Sequence, residues 1–480
     1  MTAPALQRFA LNFWTLTSSK VLYRLVSIGV AMYLARALGA GVLGAYAAVM
    51  NVLTLYLAFA DLGVTNLVIR DVSRDRTRAS STLDHFFSLQ LLVGLFLIVL
   101  ILATGVLSGY ERLWLVALAV GSAGPLFSGL SNAYEALMNA HELFYPFAMI
   151  EFACMLAFLA GNLGVVLAGG GLVALVAVTA LVSLLRFGLG ALWARRFGLR
   201  VHRGFDATAL RGMLVAGLPF LLINGTHFAI QRMDVLALSW TLEDTRIGMY
   251  AAASRLIFAS LFLLSAVGAL LYPVFSRLLA HEPARARHLY ARGTLYLAVL
   301  SGLMAQLAIT LAPTIVVLLY GTEFVESARV LRVLALFIPL FGIGLLASNV
   351  LMVSHGIWKA AGSSALALAI GAALMPPLIR AWEIHGAAVA VLLAEGIAAV
   401  LYLLFARRTL GLAPSWGRLF LALIAIAVPP LALHGIGLAD GPLFASLSFV
   451  LAIASLFLTR ALRMEDVREV TALLRGRSGE

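Results

Sequence analysis

The sequence predicts an all-α polytopic membrane protein of about 14 transmembrane helices: two pseudo-symmetric six-helix lobes followed by two further helices. Three observations lead there: the scarcity of charge, a series of apolar stretches of bilayer-spanning length, and an alternation in the basic content of the gaps between them. Of the 480 residues 62% are hydrophobic and 12% charged. A soluble domain carries roughly a quarter charged residues, so this chain lacks the polar surface that soluble domains of its length would need.

A bilayer core of about 30 Å takes roughly 20 apolar residues as a helix. Such stretches fall at approximately 12–35, 45–69, 84–108, 113–138, 146–168, 172–193, 213–240, 248–274, 293–312, 327–352, 360–379, 386–406, 418–434 and 442–459. Arginine is concentrated in alternate gaps: 70–83, 194–212, 275–292 and 407–417, with Arg460, Arg463, Arg468, Arg475 and Arg477 in the tail. The remaining gaps hold only scattered cations such as Arg36, Arg112, Arg246 and Arg380. By the positive-inside rule both termini are cytoplasmic, as an even number of spans requires.

The net charge of +12 rests on 34 basic residues, of which only Lys20 and Lys359 are lysines. Topology and anionic headgroups account for that excess, so nucleic acid is not an expected partner. The single cysteine, Cys154, excludes a disulfide framework and a Cys-rich metal site. Lys20 and Arg24 interrupt the apolar region that a cleavable signal peptide would need.

Two pairs of segments recur. Gly44-Ala45-Tyr46-Ala47-Ala48 follows the first span and Gly248-Met249-Tyr250-Ala251-Ala252 follows the seventh. Pro125-Leu126-Phe127 with Leu137-Met138 and His141 returns as Pro339-Leu340-Phe341 with Leu351-Met352 and His355. A parallel repeat of six helices implies a pseudo-two-fold axis along the membrane normal, an arrangement suited to alternating access. The expected division is residues 1–205 and 206–410 for the two lobes, 411–460 for spans thirteen and fourteen, and 461–480 for a basic cytoplasmic tail.

Ionisable residues deep in a span are costly and face a protein interior or a wet cavity. Thr17, Lys20, Arg24 and Ser27 are spaced 3-4-3 and share one face of the first span. The seventh span carries Asn224, His227, Gln231 and Asp234 at the same spacing, with Arg232 on a neighbouring line. For Asp234 an ion pair with Arg232 or Arg255 competes with a functional role. Arg255 is a third candidate cation, in span eight, whereas Arg186 in span six is expected to snorkel to the interface. Asp61, Glu135, Glu151 and Glu395 are intramembrane acids that either partner an arginine or carry a coupling proton. Asn66, Gln90, Asn132, Asn162, Gln306 and Asn349 read as helix–helix hydrogen-bonding residues. Cations facing a cavity call for an anion, and arginine suits phosphate through its planar fork of donors.

Several segments resemble a known family. Ala35-Arg36-Ala37-Leu38-Gly39 with Gly44-Ala45-Tyr46, Asp61-Leu62-Gly63 before the Arg-rich gap, Gln231-Arg232-Met233-Asp234-Val235, Ile247 to Leu256, Pro273-Val274-Phe275-Ser276-Arg277 and Leu319 to Phe324 resemble the polysaccharide-biosynthesis flippases. These are the O-antigen flippase type of the MATE-like superfamily. The resemblance extends to about residue 410. It implies a twelve-helix, two-lobed core plus two helices in the bacterial inner membrane. It also implies export of an undecaprenyl-diphosphate-linked oligosaccharide from the cytoplasmic to the periplasmic leaflet, in company with polysaccharide assembly machinery. Carried over residue by residue, Lys20 and Arg24 fall at cavity cations, Arg255 at a basic position of span eight and Asp234 at the acidic position of span seven.

The expected substrate-binding residues are therefore Lys20, Arg24, Arg255, Asn224 and Gln231, with Asp234, His227 and Asp61 as candidates for ion coupling. No cofactor is expected. No Walker-type sequence occurs, so a proton or sodium gradient is the expected energy source. A lipid II flippase and a cation-coupled multidrug exporter of the same fold are the alternatives; the cationic face and two extra helices speak against the exporter. A membrane enzyme would need a large external loop or paired carboxylates near the interface; the loops are short, and the one adjacent acidic pair outside the tail, Glu243-Asp244, reads as part of a solvated loop.

Overall fold

The computed structural model describes residues 3–60, 64–65, 68, 79–140, 144–196, 206–354, 356–435, 441–463 and 465; at 3–25, 27–28, 222–224 and 227, among others, it describes only the backbone. No strand occurs among the described residues. Ten described segments are long and apolar enough to cross a membrane by length and composition, and Pro442–Leu458 is a shorter apolar helix. The chain divides into two compact units, Met1–Ala251 and Ala252–Glu480.

In the first unit α1 (Ala3–Ala60) is two helices run together. Gly39, at φ 77° and ψ 176°, turns the chain between the expected spans one and two, in a region of backbone space that glycine enters without a Cβ clash. There follow α2 (Ala79–Leu107), α3 (Arg112–Gly121), α4 (Ala123–Ala140), α5 (Phe144–Leu167), α6 (Leu172–Arg196), α7 (Ala207–Ile230), α8 (Met233–Leu238) and the first turns of α9 (Asp244–His281). The packing puts α4 against α2 and α6, and α5 against α1 and α6. Phe86, Leu83, Ala133 and Leu137 form a dry core between α2 and α4, which Leu210 of α7 joins. Because α7 and α8 pack on α1, the boundary between the units follows the seventh span, whereas the sequence repeat divides at 205/206.

Both recurring segments have a structural counterpart. Each Gly-x-Tyr-Ala-Ala segment begins one turn into its helix, and the two helices cross there. A Cβ on Gly44 would collide with the Asp244 carbonyl and lie 2.7 Å from the Gly248 nitrogen; one on Gly248 would collide with the Ala40 carbonyl. Small residues one turn apart let two backbones touch in this way. The Pro-Leu-Phe segments lie at matching places in spans four and ten. Ser122 (φ −62°, ψ −20°) and Leu336 (φ −65°, ψ −16°), each three residues before the proline, keep right-handed helical dihedrals, so each span runs on through its proline.

The second unit comprises the rest of α9, α10 (Pro283–Thr310), α11 (Ala312–Tyr320), a 3-10 turn (Thr322–Phe324), α12 (Ser327–Ala335), α13 (Phe337–Val353), α14 (Ile357–Leu410), α15 (Trp416–Gly435) and α16 (Pro442–Leu458). Helix α14 holds the expected spans eleven and twelve, parted at Trp382 and Glu383, the latter at φ 48°. The returning helix passes so close that a Cβ on Gly386 would collide with the Leu378 carbonyl. The last two helices, α15 and α16, pack on each other and on α10.

Two expectations need correction. Span seven is not continuous: α7 ends at Ile230, and Arg232 (φ −131°, ψ −16°) precedes the separate helix α8. The Arg-rich gap 275–292 is not a loop, since α9 runs to His281 and α10 starts at Pro283. Arginine, alanine and leucine are strong helix formers, so both helices extend through it.

Two outcomes follow. Gly248→Leu drives a branched side chain into a backbone carbonyl, and its cost is expected to exceed the ~1–3 kcal/mol usual for overpacking. Thermal unfolding of the detergent-purified variant checks this, and an unchanged melting temperature would contradict the crossing. Asp206 caps α7 by accepting hydrogen bonds from the Thr208 and Ala209 N–H groups at 2.8 and 3.4 Å. Those bonds hold its carboxyl below the usual carboxylate range. A depressed folded pKa contributes stability above the unfolded value and loses it as pH falls through the folded one. The melting-temperature deficit of Asp206→Ala is thus expected at neutral pH and to vanish in acid, while Asp206→Asn keeps a pH-independent cap.

Candidate functional site

The cationic face predicted for the first span lies on continuous helix, so Thr17, Lys20, Arg24 and Ser27 keep a common face along α1. Their side chains, with those of Asn224 and His227, lie outside the described residues, as does Asp61 altogether. Gln231 caps the C-terminus of α7, and Arg255 is half-buried in α9.

The break in span seven moves Asp234 off the expected stripe. It occupies the first turn of α8 and is wholly buried. Its carboxylate accepts hydrogen bonds from the Tyr250 hydroxyl and the Val235 N–H, each at 2.7 Å. Tyr250 belongs to the second Gly-x-Tyr-Ala-Ala segment, so that segment supplies both the glycine at the helix crossing and the hydroxyl that holds the break. Arg232 reaches the Asn51 side-chain oxygen at 3.3 Å and lies 5.5 Å above the Phe228 ring. Asn51 follows the first such segment by one turn and donates to the Ala47 carbonyl at 2.7 Å. The discontinuous helix is thus held from both recurring segments. Broken helices line polar sites in transporters because their freed backbone groups need partners.

A second polar centre lies wholly within the first unit. Arg186 of α6 does not snorkel. Its Nε donates to Glu135 of α4 at 2.5 Å and its Nη2 donates to Glu151 of α5. The helix α6 continues to Arg196, about 15 Å further at 1.5 Å per residue, which is beyond the reach of an arginine. That distance was the signal in the sequence that a surface role for Arg186 overlooked. Beside the cluster is a cavity of about 210 Å³ lined by Arg186, Cys154, Thr54, Ser128, Thr179 and Ser183. Two carboxylates from different helices thus share one guanidinium inside the first unit. Among the described residues no group of three or more His, Cys, Asp or Glu could hold a metal ion.

The other intramembrane acid with a described side chain, Glu395 of α14, is 3% exposed, and its Oε2 has no hydrogen-bond partner among the described residues. Of the amides read as interhelical, Asn349 donates to the Gly268 carbonyl of a neighbouring helix at 3.0 Å. Asn162 donates within its own helix, to Phe158. Gln306 has no protein partner for either amide atom among the described residues.

Helices of this length and apolarity, broken at polar points and enclosing an ionic cluster, define a multi-pass membrane protein of the MATE-like fold. Its fold is similar to that of the lipid II flippase MurJ in an inward closed conformation, with a TM-score of 0.75 and 14% identity over 94% of this chain and 99% of that one. It is similar also to an inward-facing multidrug resistance MATE family transporter of the MOP superfamily, with a TM-score of 0.68, 14% identity and coverage of 83% and 98%. A Vibrio cholerae MATE transporter matches at a TM-score of 0.55, 15% identity and coverage of 84% and 99%. At such identities the likeness is one of fold. No curated protein sequence matches the chain. Residues 33–329 match the polysaccharide biosynthesis protein family, and the chain belongs to that family.

Removing Arg186 tests the ionic centre. Arg186→Leu leaves two buried carboxylates without their counter-charge, an expected loss of about 3–5 kcal/mol. Replacing Glu135 and Glu151 by leucine in the same chain is expected to restore most of it. Chemical unfolding in detergent reads both, and a single variant as stable as the parent would show that the cluster carries no energetic weight.

Proposed function

We propose that this protein is a flippase that carries a polyprenyl-diphosphate-linked oligosaccharide from the cytoplasmic to the periplasmic leaflet by alternating access. The observation that carries the reading is the match of residues 33–329 to a polysaccharide biosynthesis family, on a chain whose fold aligns over 94% of its length with a lipid flippase. In this reading the cations Lys20, Arg24 and Arg255 meet the diphosphate, and Asn224 and Gln231 meet the glycan. Asp234, His227 and Asp61 are the groups through which a proton or sodium gradient acts, and the Arg186 cluster is a further intramembrane charge available to it. The protein resides in the bacterial inner membrane with both termini cytoplasmic, beside the machinery that polymerises the exported glycan. A lipid II flippase is the second reading, favoured by the fold match to MurJ and disfavoured by the family match.

Deleting the gene in its host and following radiolabelled polyprenyl-diphosphate glycans tests the proposal. Full-length glycan-lipid is expected to accumulate on the cytoplasmic leaflet, with rescue by the wild type and at least a tenfold weaker rescue by Arg24→Ala or Lys20→Ala. Accumulation of lipid II alone would transfer the assignment to the second reading. Normal surface glycan with no accumulating lipid would overturn both.

A further inference from the structure

The last two helices are fastened to the second unit along half their length. Leu295 and Val299 of α10, Ala422 and Ala425 of α15 and Leu456 of α16 share one dry cluster. Pro429 cannot donate to the Ala425 carbonyl; the Ser455 hydroxyl of α16 does so instead, at 2.5 Å. Beyond this point α10, α12, α13, α15 and α16 line an open cavity of about 480 Å³. Its walls are apolar, from Leu336, Pro339, Leu423, Ile426 and Leu431, while its polar groups are Gln306, Thr310, Arg332 and His434.

Those four are gathered at one end. Gln306 and Thr310 close α10, His434 lies in the last turn of α15, and the Arg332 Nε donates to the carbonyl of Ile309 at 3.4 Å. This is the end remote from the Arg-rich connections, which the positive-inside rule assigns to the non-cytoplasmic leaflet. Thr310 turns its hydroxyl back to the Gln306 carbonyl at 2.9 Å. Gln306 itself is 4% exposed, and neither its amide nitrogen nor its amide oxygen has a partner among the described residues. A buried polar group left so loses its hydration without a bond in return, and it calls for a partner from outside the chain.

We infer that this cavity is a site for a glycerophospholipid of the non-cytoplasmic leaflet. Its phosphodiester lies among Arg332, His434 and Gln306, and an acyl chain lies along Ile426, Leu423 and Leu336. A guanidinium and an imidazole match the single negative charge of a phosphodiester. The more highly charged diphosphate of a flipped cargo calls for a denser set of cations. The lipid wedges the outer half of α15 and α16 against the core, whatever cargo the protein moves.

The full chain, purified in detergent and stripped of lipid, is titrated with phosphatidylglycerol, with a polyprenyl phosphate and with inorganic phosphate, and each is followed by native mass spectrometry and thermal unfolding. One phosphatidylglycerol is expected to bind and to raise the melting temperature by several degrees. Arg332→Gln and Ala427→Phe, which fills the groove, are each expected to weaken binding at least tenfold. Gln306→Leu is expected to leave the stripped protein at least as stable as the parent while abolishing the lipid-dependent rise. Retention of that rise in both Gln306→Leu and Ala427→Phe would overturn the site. Equal stabilisation by inorganic phosphate would reduce it to an anion site, and displacement by equimolar polyprenyl phosphate would give it to an isoprenoid; either result refutes the assignment. None of these readings depends on transport.

Discussion

A bilayer core offers no water to a backbone amide or carbonyl, and every irregularity in this chain is shaped by that constraint. A continuous helix meets it without help, which is why hydropathy so nearly determines the architecture. Several of the irregularities have a specific device. At Gly39 a glycine takes the positive φ. At 231–232 the chain resumes at Asp234, whose carboxylate takes the Val235 N–H and the Tyr250 hydroxyl. At Pro429 the freed Ala425 carbonyl finds Ser455 on the next helix. At these points polar side chains supply what the backbone needs, whereas the Arg186 cluster joins three unbroken helices.

The same constraint explains how far the sequence could be read. Span lengths, the alternation of arginine between gaps and the division of α14 near its expected midpoint follow from composition alone. The break in span seven does not, because Gln231-Arg232-Met233-Asp234 contains neither proline nor glycine, and its 3-4-3 polar spacing is equally that of an intact amphipathic helix. What ends α7 there is a set of tertiary bonds from Asn51 and Tyr250, which a periodicity argument cannot register. The helical run through 275–292 was hidden for the opposite reason: arginine marks the membrane edge but does not terminate a helix.

The ionic cluster shows a different limit. Glu135 and Glu151 were legible as intramembrane acids and Arg186 was read as snorkelling, because their partnership depends on α4, α5 and α6 presenting them at one level, and no local pattern encodes that. For the cationic face of span one the position is reversed. The register of Lys20 and Arg24 follows from helical spacing, and the functional weight placed on them comes from the resemblance of the sequence, because the family match begins at residue 33.

The recurring segments join these strands. The Gly44–Gly248 crossing brings two helix backbones together because both recurring segments carry the small residue at the same turn. Tyr250 then serves a purpose in the second copy, holding Asp234 beside the break, for which the first copy has no acid: Lys20 to Ser27 stands where Asn224 to Gln231 stands in the other. The recurring segments thus share the backbone contact while the polar stripes that precede them differ, one cationic on a continuous helix, the other mixed and interrupted.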